Sequence, residues 1–338
     1  MAPTKQGMKA LKRLPPTVKV WENDVKNNVL KEWIKKADGC LRNDDCWNIY
    51  RQGLKDCRTP KGTFALARHY QLEASVNETT MHDDEIATPV AHRTRSHASD
   101  LISDFGKLNI NDPYSTPTKE TGSHHIAGAQ RVTERLYPPT KDAQIVNTAL
   151  VIFLNALTKY QELSVSWTMH RMPLVATFTE DGFQARTDGY LYDRKGNLKA
   201  LIEVKPVVRE IKRSTIRMQE SAQMVAWILG DENGEEASGK LRLIISQDRH
   251  EIFISMASYD ADYIDYLKTG SDLRATPSLL AMHEFGPWNT LDERSMSELG
   301  KILLAISLRA DYEAQDKTAL RMPDLASPEM NKKFTLDG

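Results

Sequence analysis

The chain has 338 residues, of which 45 are basic and 46 acidic, for a formal net charge of −1. That length allows one large domain or two modest ones with an ample core. The balanced charge excludes a chain that binds nucleic acid through global basicity, so any such role needs a local basic patch. The three cysteines, Cys40, Cys46 and Cys57, are odd in number and follow no zinc spacing. They indicate reduced thiols in an intracellular protein, with nuclear and cytoplasmic placement both open. No apolar run reaches transmembrane length, and the opening residues are not a signal peptide.

In chain order, residues 1–20 read as a flexible basic tail around Lys5, Lys9, Lys12 and Arg13. Residues 21–75 form a helical N-terminal region, with helix-spaced apolar side chains over 24–37, 44–55 and 64–73. Residues 76–128 are a polar linker poor in large apolar side chains. His82, His92, His97, His124 and His125 lie in or near it without the carboxylate or cysteine spacing of a metal site, and read as solvated. A core domain is expected over 129–320, followed by a tail over 321–338. Within it the patterning predicts a helix at 141–158, strands at 163–168 and 174–179, and a hairpin from 185–193 and 198–205. A helix then starts within 212–215 and runs to 229, and a second hairpin pairs 241–247 with 251–257. A capping box from Thr290 to Glu293 opens a last helix to 312. Arg242, Gln247, Arg249 and His250 on the second hairpin are expected to be exposed, as candidates for substrate contact, although polar residues at strand ends are usually just solvated.

The first hairpin carries the chemistry. Arg194, Lys195, Gly196 and Asn197 are turn residues, and a loop of these residues sets Asp193 opposite Leu198. Counting back from there places Asp188 opposite Glu203. Opposite residues of an antiparallel pair have Cβ atoms about 4.5–5.5 Å apart. Carboxylates that close repel one another unless a cation sits between them. Glu203 and Lys205 share a strand face, while Ala200, Ile202 and Val204 point to the other and read as core. Mg²⁺ or Mn²⁺ takes oxygen ligands, commonly one or two carboxylates plus substrate phosphate. Asp188 and Glu203, joined by the Val204 carbonyl, are the candidate ligands. Lys205 is the group that would orient a water or offset developing charge. Taken singly these motifs are ordinary: an Asp-Gly turn, and a Glu-x-Lys edge pair worth ~0–1 kcal/mol.

The following helix adds neighbours. Gln219, Gln223 and Trp227 recur every fourth residue and share one face, which reads either as a surface glutamine stripe beside a core Trp or as one that offers Gln219 or Gln223 to a metal-bound water or a phosphate oxygen beside the hairpin. Arg186 on the hairpin and Arg209, Lys212, Arg213 and Arg217 along the helix are candidate contacts to a nucleic-acid backbone. A charge run of this kind is more commonly only solvated.

Asp188, the fourteen residues after it, Glu203-Val204-Lys205 and a Gln-bearing helix resemble the PD-(D/E)XK nuclease superfamily. Gln223-Met224-Val225-Ala226-Trp227 is similar to the Gln-x-x-x-Tyr helix of its RecB-like exonuclease branch, with Trp in place of Tyr. More closely, the block from Tyr137 to Trp227 resembles the PD-(D/E)XK nuclease-like domain of uncharacterised fungal proteins. The matching runs are Gln144-Ile145-Val146-Asn147, Ala185-Arg186-Thr187-Asp188-Gly189-Tyr190, Glu203-Val204-Lys205-Pro206 and Gln219-Glu220-Ser221-Ala222-Gln223-Met224. The resemblance implies an α/β restriction-endonuclease-like core, a central mixed β-sheet flanked by helices, with the helical N-terminal region beside it. It also implies phosphodiester hydrolysis with Mg²⁺ or Mn²⁺ as cofactor and nucleic acid as partner, DNA ahead of RNA.

Many members of the superfamily place a further acid on the first core helix, and here the chain departs from the pattern. Ala143 stands where that acid is expected. Either Asp142 substitutes, one position earlier and therefore rotated by about 100°, or the site keeps two acids, or the chain is compromised for catalysis. Glu134 and Glu162, outside the helix, are weaker substitutes. Three readings stay open: a metal-dependent nuclease, a catalytically impaired nuclease-fold module that binds nucleic acid or protein, and an unrelated α/β protein with a salt-bridged hairpin.

Overall fold

The computed structural model describes residues 30–56, 58, 60–75, 140, 142–178, 182–231, 241–270 and 278–315. They belong to one compact unit assembled from the chain before 77 and after 138. The basic tail, the polar linker with its five histidines, Glu134, Cys57 and the C-terminal tail lie outside the described residues.

Among the described residues three helices come first: α1 (Lys31–Arg42), α2 (Asp45–Lys55) and α3 (Ala65–Ser75). Asp44 caps α2, its carboxylate accepting the Trp47 N–H at 3.1 Å. Helix α4 (Ala143–Thr158) is apolar on most sides, because it lies among α3, the late helix α7 (Glu293–Gln315) and the sheet. Trp47, Tyr50, Phe64 and Phe153 pack into one aromatic cluster with ring centroids 5.0–6.3 Å apart. A β-carbon on Gly300 of α7 would come within 2.3 Å of the Trp47 ring, so glycine is required for α2 and α7 to approach this closely.

The strands among the described residues are β1 (Val165–Thr168), β2 (Pro173–Thr177), β3 (Gly182–Arg186), β4 (Gly189–Asp193), β5 (Leu198–Lys205), β6 (Arg242–Asp248), β7 (Glu251–Ser258) and β8 (Ala281–Asn289). Six of them form a mixed sheet in the order β1-β4-β5-β6-β7-β8, and β2 pairs with β3 in a separate two-stranded sheet. Strands β5 and β6 run parallel, and the crossover between them is α5 (Arg209–Gly230). The chain is therefore α/β, with a six-stranded mixed sheet, flanking helices and a helical N-terminal region. No helix among the described residues is long and apolar enough to cross a membrane.

Period-two alternation divides the sheet into two faces. Ala200, Ile202, Val204, Leu243, Ile245, Ile252, Ile254 and Met256 join the core with α1 to α4 and α7. Leu201, Ile244 and Ala257 face the other way, against α5, α6 (Ala261–Thr269) and the β2–β3 pair. The apolar face expected for Ala200, Ile202 and Val204 is thus the observed one.

Several boundaries differ from expectation. The single strand expected over 185–193 is two strands, because the chain leaves β3 at Thr187 and enters the large sheet at Gly189. Thr187 is buried there, its N–H donating to the Met172 carbonyl at 3.1 Å. A β-carbon on Gly189 would lie 2.4 Å from the Thr168 carbonyl oxygen, so the Asp-Gly pair marks close strand contact rather than a turn. At the hairpin tip Tyr192, not Asp193, faces Leu198. A bulge at Leu191/Tyr192 then restores the expected alignment, with Gly189 opposite Ile202.

Helix α5 begins at Arg209, earlier than expected, and Lys212 breaks its regularity with φ −130°. The capping box does not form. Asp292 caps α7 instead, accepting the Ser295 N–H at 2.7 Å, while Thr290 is buried and donates its own N–H to the His250 carbonyl.

The second hairpin is present, with Arg249 at φ 58° in its tight turn, but its polar residues are not exposed. Arg242, Gln247, Arg249 and His250 are all buried, since helices cover both sheet faces and α3 covers the hairpin end. Arg242 lies over the Trp227 ring and bonds Tyr259 and Asp231, each at 2.6 Å. Arg249 donates to the Ser75 carbonyl at the end of α3. Burial and the neighbouring Arg249 push the His250 imidazole down to about 4, so it is neutral at physiological pH.

Candidate active site

Asp188, Glu203, Lys205, Gln219 and Gln223 converge at one place. Strand β5 directs Glu203 and Lys205 toward α5, and the four-residue spacing of Gln219 and Gln223 directs both amides back at Glu203. Glu203 Oε1 accepts Lys205 Nζ at 2.5 Å and Gln219 Nε2 at 2.8 Å, and Oε2 accepts Gln223 Nε2 at 2.5 Å. The expectation had these amides bonding a water or a phosphate. In the structure their donors hold the carboxylate itself. Glu203 is only 1% exposed. Burial, reinforced by Asp188 and opposed by Lys205 and Gln223, pushes its carboxyl up to about 7.

Asp188 lies just outside the β4–β5 ladder, its N–H donating to the Ile202 carbonyl. The ladder continued by one residue brings it to Glu203. Its Oδ2 accepts the Val204 N–H at 3.1 Å, so Val204 supports this acid through its amide. Its Oδ1 lies 3.2 Å from Arg171, a residue that hairpin reasoning missed because it sits on the connection between β1 and β2.

A second missed participant is Asn147 of α4, whose Nδ2 donates to the Asp188 carbonyl at 2.8 Å. It belongs to the run Gln144 to Asn147, and it shares a helix face with Ala143 one turn earlier. Asp142, the expected substitute acid, is exposed and caps α4, its carboxylate accepting the Gln144 N–H at 2.8 Å. Its place is at the helix N-terminus, because the chain enters α4 in an extended conformation at that residue.

The oxygen donors here are of the type a hard divalent cation takes. Asp188 and Glu203 supply carboxylate oxygens, and two further buried oxygens, Asn147 Oδ1 and Gln223 Oε1, have no hydrogen-bond donor. Buried acceptors of this kind suit the waters that Mg²⁺ retains. Among the described residues, no group of three or more His, Cys, Asp and Glu side chains is placed to hold a metal. The protein carboxylates here number two.

The arginines expected to contact substrate separate into three kinds. Arg209 is excluded from that role. It is 1% exposed, lies over the Phe253 ring, and bonds Asp248 (2.5 Å), Glu220 (2.5 Å) and Glu284 (2.8 Å). Arg217 grips Glu284 through two nitrogens at 2.9 and 3.0 Å but stays partly exposed. Arg213 is exposed and paired with Glu210 within its own helix, while Arg186 is exposed next to the site, its carbonyl accepting Gln223 Nε2 at 2.8 Å. No protein-family model matches the chain, and neither a curated protein nor a solved structure is similar to it.

Proposed function

We propose that this protein is a metal-dependent nuclease with a restriction-endonuclease-like core, hydrolysing phosphodiester bonds of nucleic acid, DNA ahead of RNA. The observation that carries this reading is the convergence of Asp188, Glu203, Lys205, Gln219 and Gln223 on one point of the sheet. Asp188 and Glu203 would hold Mg²⁺ or Mn²⁺. When bound, the cation supplies charge stabilisation at the phosphate and lowers the pKa of a water. Gln219 and Gln223 fix the Glu203 rotamer through neutral donors, which leaves the carboxylate's charge uncompensated by the helix. Lys205 Nζ bridges from Glu203 toward solvent, where it can orient a water or donate toward a phosphate oxygen. Asn147 and the Val204 N–H hold Asp188 from its carbonyl and its carboxylate.

The test is incubation of the purified chain with single- and double-stranded DNA and RNA, with Mg²⁺, Mn²⁺ or chelator. Metal-dependent cleavage that disappears in Glu203→Ala and Lys205→Ala is the expected result. A second reading is favoured by the pair of acids standing where a triad would be stronger, and by Ala143 on the helix face of Asn147. In that reading the fold binds nucleic acid or protein without cutting. Salt-sensitive binding with no cleavage of any substrate supports it, and cleavage gained in Ala143→Glu would identify the missing acid as the cause.

A further inference from the structure

Asp188 is masked by an arginine that the backbone places opposite it. Strands β2 and β3 pair Pro173 with Arg186. Carried on by two residues, that register brings Met172 to Thr187 and Arg171 to Asp188. The intermediate pair is tied, because the Thr187 N–H donates to the Met172 carbonyl at 3.1 Å and the Met172 N–H to Thr187 Oγ1 at 3.3 Å. The approach of Arg171 Nη2 to Asp188 Oδ1 at 3.2 Å therefore follows from the ribbon, not from a chance meeting of long side chains.

The two oxygens of Asp188 are not equivalent. Oδ2 accepts the Val204 N–H, which leaves Oδ1 as the oxygen most open to an incoming cation, and Oδ1 is the one beneath Arg171. A dication and a guanidinium at ion-pair distance from one oxygen repel strongly. Asp188 is held from three sides, whereas the Arg171 side chain is 61% exposed and has solvent into which to move. A guanidinium that leaves a carboxylate is suited to a phosphate, since its planar fork matches both. Arg186, across from Pro173 on the same ribbon, is exposed and has no carboxylate partner among the described residues.

The geometry points to a cation-gated phosphate clamp. Arg171 covers Asp188 Oδ1 and, when a divalent cation binds at Asp188 and Glu203, moves to a backbone phosphate of the nucleic acid alongside Arg186. The clamp rests on the metal-site reading above and adds to it a residue that couples cation binding to substrate binding.

Two binding measurements on the full chain test it. MnCl₂ is titrated calorimetrically without nucleic acid, and a labelled DNA single strand is then bound across a salt series with Ca²⁺ in place of Mg²⁺. Both are run on the wild type, Arg171→Gln, Arg171→Lys and Glu203→Gln, with circular dichroism confirming that each variant folds. Arg171→Gln should take up Mn²⁺ about fivefold more tightly, the upper range for release of an exposed ion pair. The same variant should bind DNA roughly tenfold more weakly in the presence of cation, with a salt slope smaller by about one. Arg171→Lys should keep the wild-type salt slope. Unchanged Mn²⁺ affinity or unchanged DNA affinity in Arg171→Gln overturns the clamp, even where Glu203→Gln abolishes Mn²⁺ uptake and so upholds the metal site. A wild type that takes up no Mn²⁺ overturns the metal site and the clamp together.

Discussion

Helix α5 faces two acidic clusters on one side of the sheet and satisfies them by opposite means. Around Glu203 the helix supplies neutral amides from Gln219 and Gln223, and the charge comes from Lys205 at a partly open edge. One strand over, the helix supplies the Arg209 guanidinium, enclosed by Glu220, Asp248 and Glu284, with Ser246 and Ser255 donating to Glu220. The second cluster is closed: its acids are already engaged by a cation that cannot leave. The first holds its acid with two neutral donors and a single cation, Lys205, that reaches solvent. Burying carboxylates does not by itself make a site; what differs is whether the counter-charge is sealed in the core, as at Arg209, or sits at an edge open to solvent, as at Lys205.

The sharpest way to break this comparison is to remove the sealed cation. Arg209→Leu strands Glu220 and Asp248 in the interior, leaving Glu284 to Arg217, and urea unfolding should show a loss of about 3–5 kcal/mol. A smaller loss would mean that the sealed cluster is less committed to stability than its geometry indicates. Glu203→Gln should behave in the opposite way. Cleavage with Mg²⁺ should fall by about 10²-fold or more, while stability changes by less than about 1 kcal/mol because a desolvated charge is removed.

Next comes pH. Asp248, with an ordinary value of 3.8, is pushed up to about 7 chiefly by burial, against Arg209, and Glu203, ordinarily 4.5, reaches about the same value. The folded chain keeps protons on these groups that the unfolded chain releases. Their contribution to stability is therefore full below the unfolded values, falls as pH rises from about 4 to about 7, and is level above that. The slope is at most about 1.4 kcal/mol per pH unit for each group. Unfolding in chelator across this range should show it, and Asp248→Asn and Glu203→Gln should each remove a share. Added Mn²⁺ should offset the share of Glu203 alone, because the cation competes with a proton there and not within the sealed cluster. A modest effect belongs to Gln219→Ala, which removes one donor of a still-bonded carboxylate and should cost about 0.5–1.5 kcal/mol in the same unfolding measurement.

Much of the fold was legible because it rests on local pattern. The apolar periodicity of α2, α4 and β5 and the turn residues after Asp193 are short-range signals, and they placed the elements within a few residues. The Asp188–Glu203 alignment also emerged, although through a tip register that was off by one and a bulge that compensated it. Boundaries failed where tertiary contacts overrode propensity: at Thr187, buried between two sheets, and at Thr290, drawn into the hairpin end instead of capping α7.

The sequence by itself determined which side chains share a strand face or a helix face, because periods of 2 and 3.6 are properties of the backbone. That was sufficient to group Glu203 with Lys205 and Gln219 with Gln223, and to mark Asp188 as their partner. Only the tertiary structure decided which charges are sealed and which stay open. Arg209, Arg242 and Arg249 read like any surface arginines, yet layers packed on both sides of the sheet buried them, while the register of a ribbon brought Arg171 onto Asp188. Burial and long-range pairing depend on what the rest of the chain places nearby, and no local pattern encodes that.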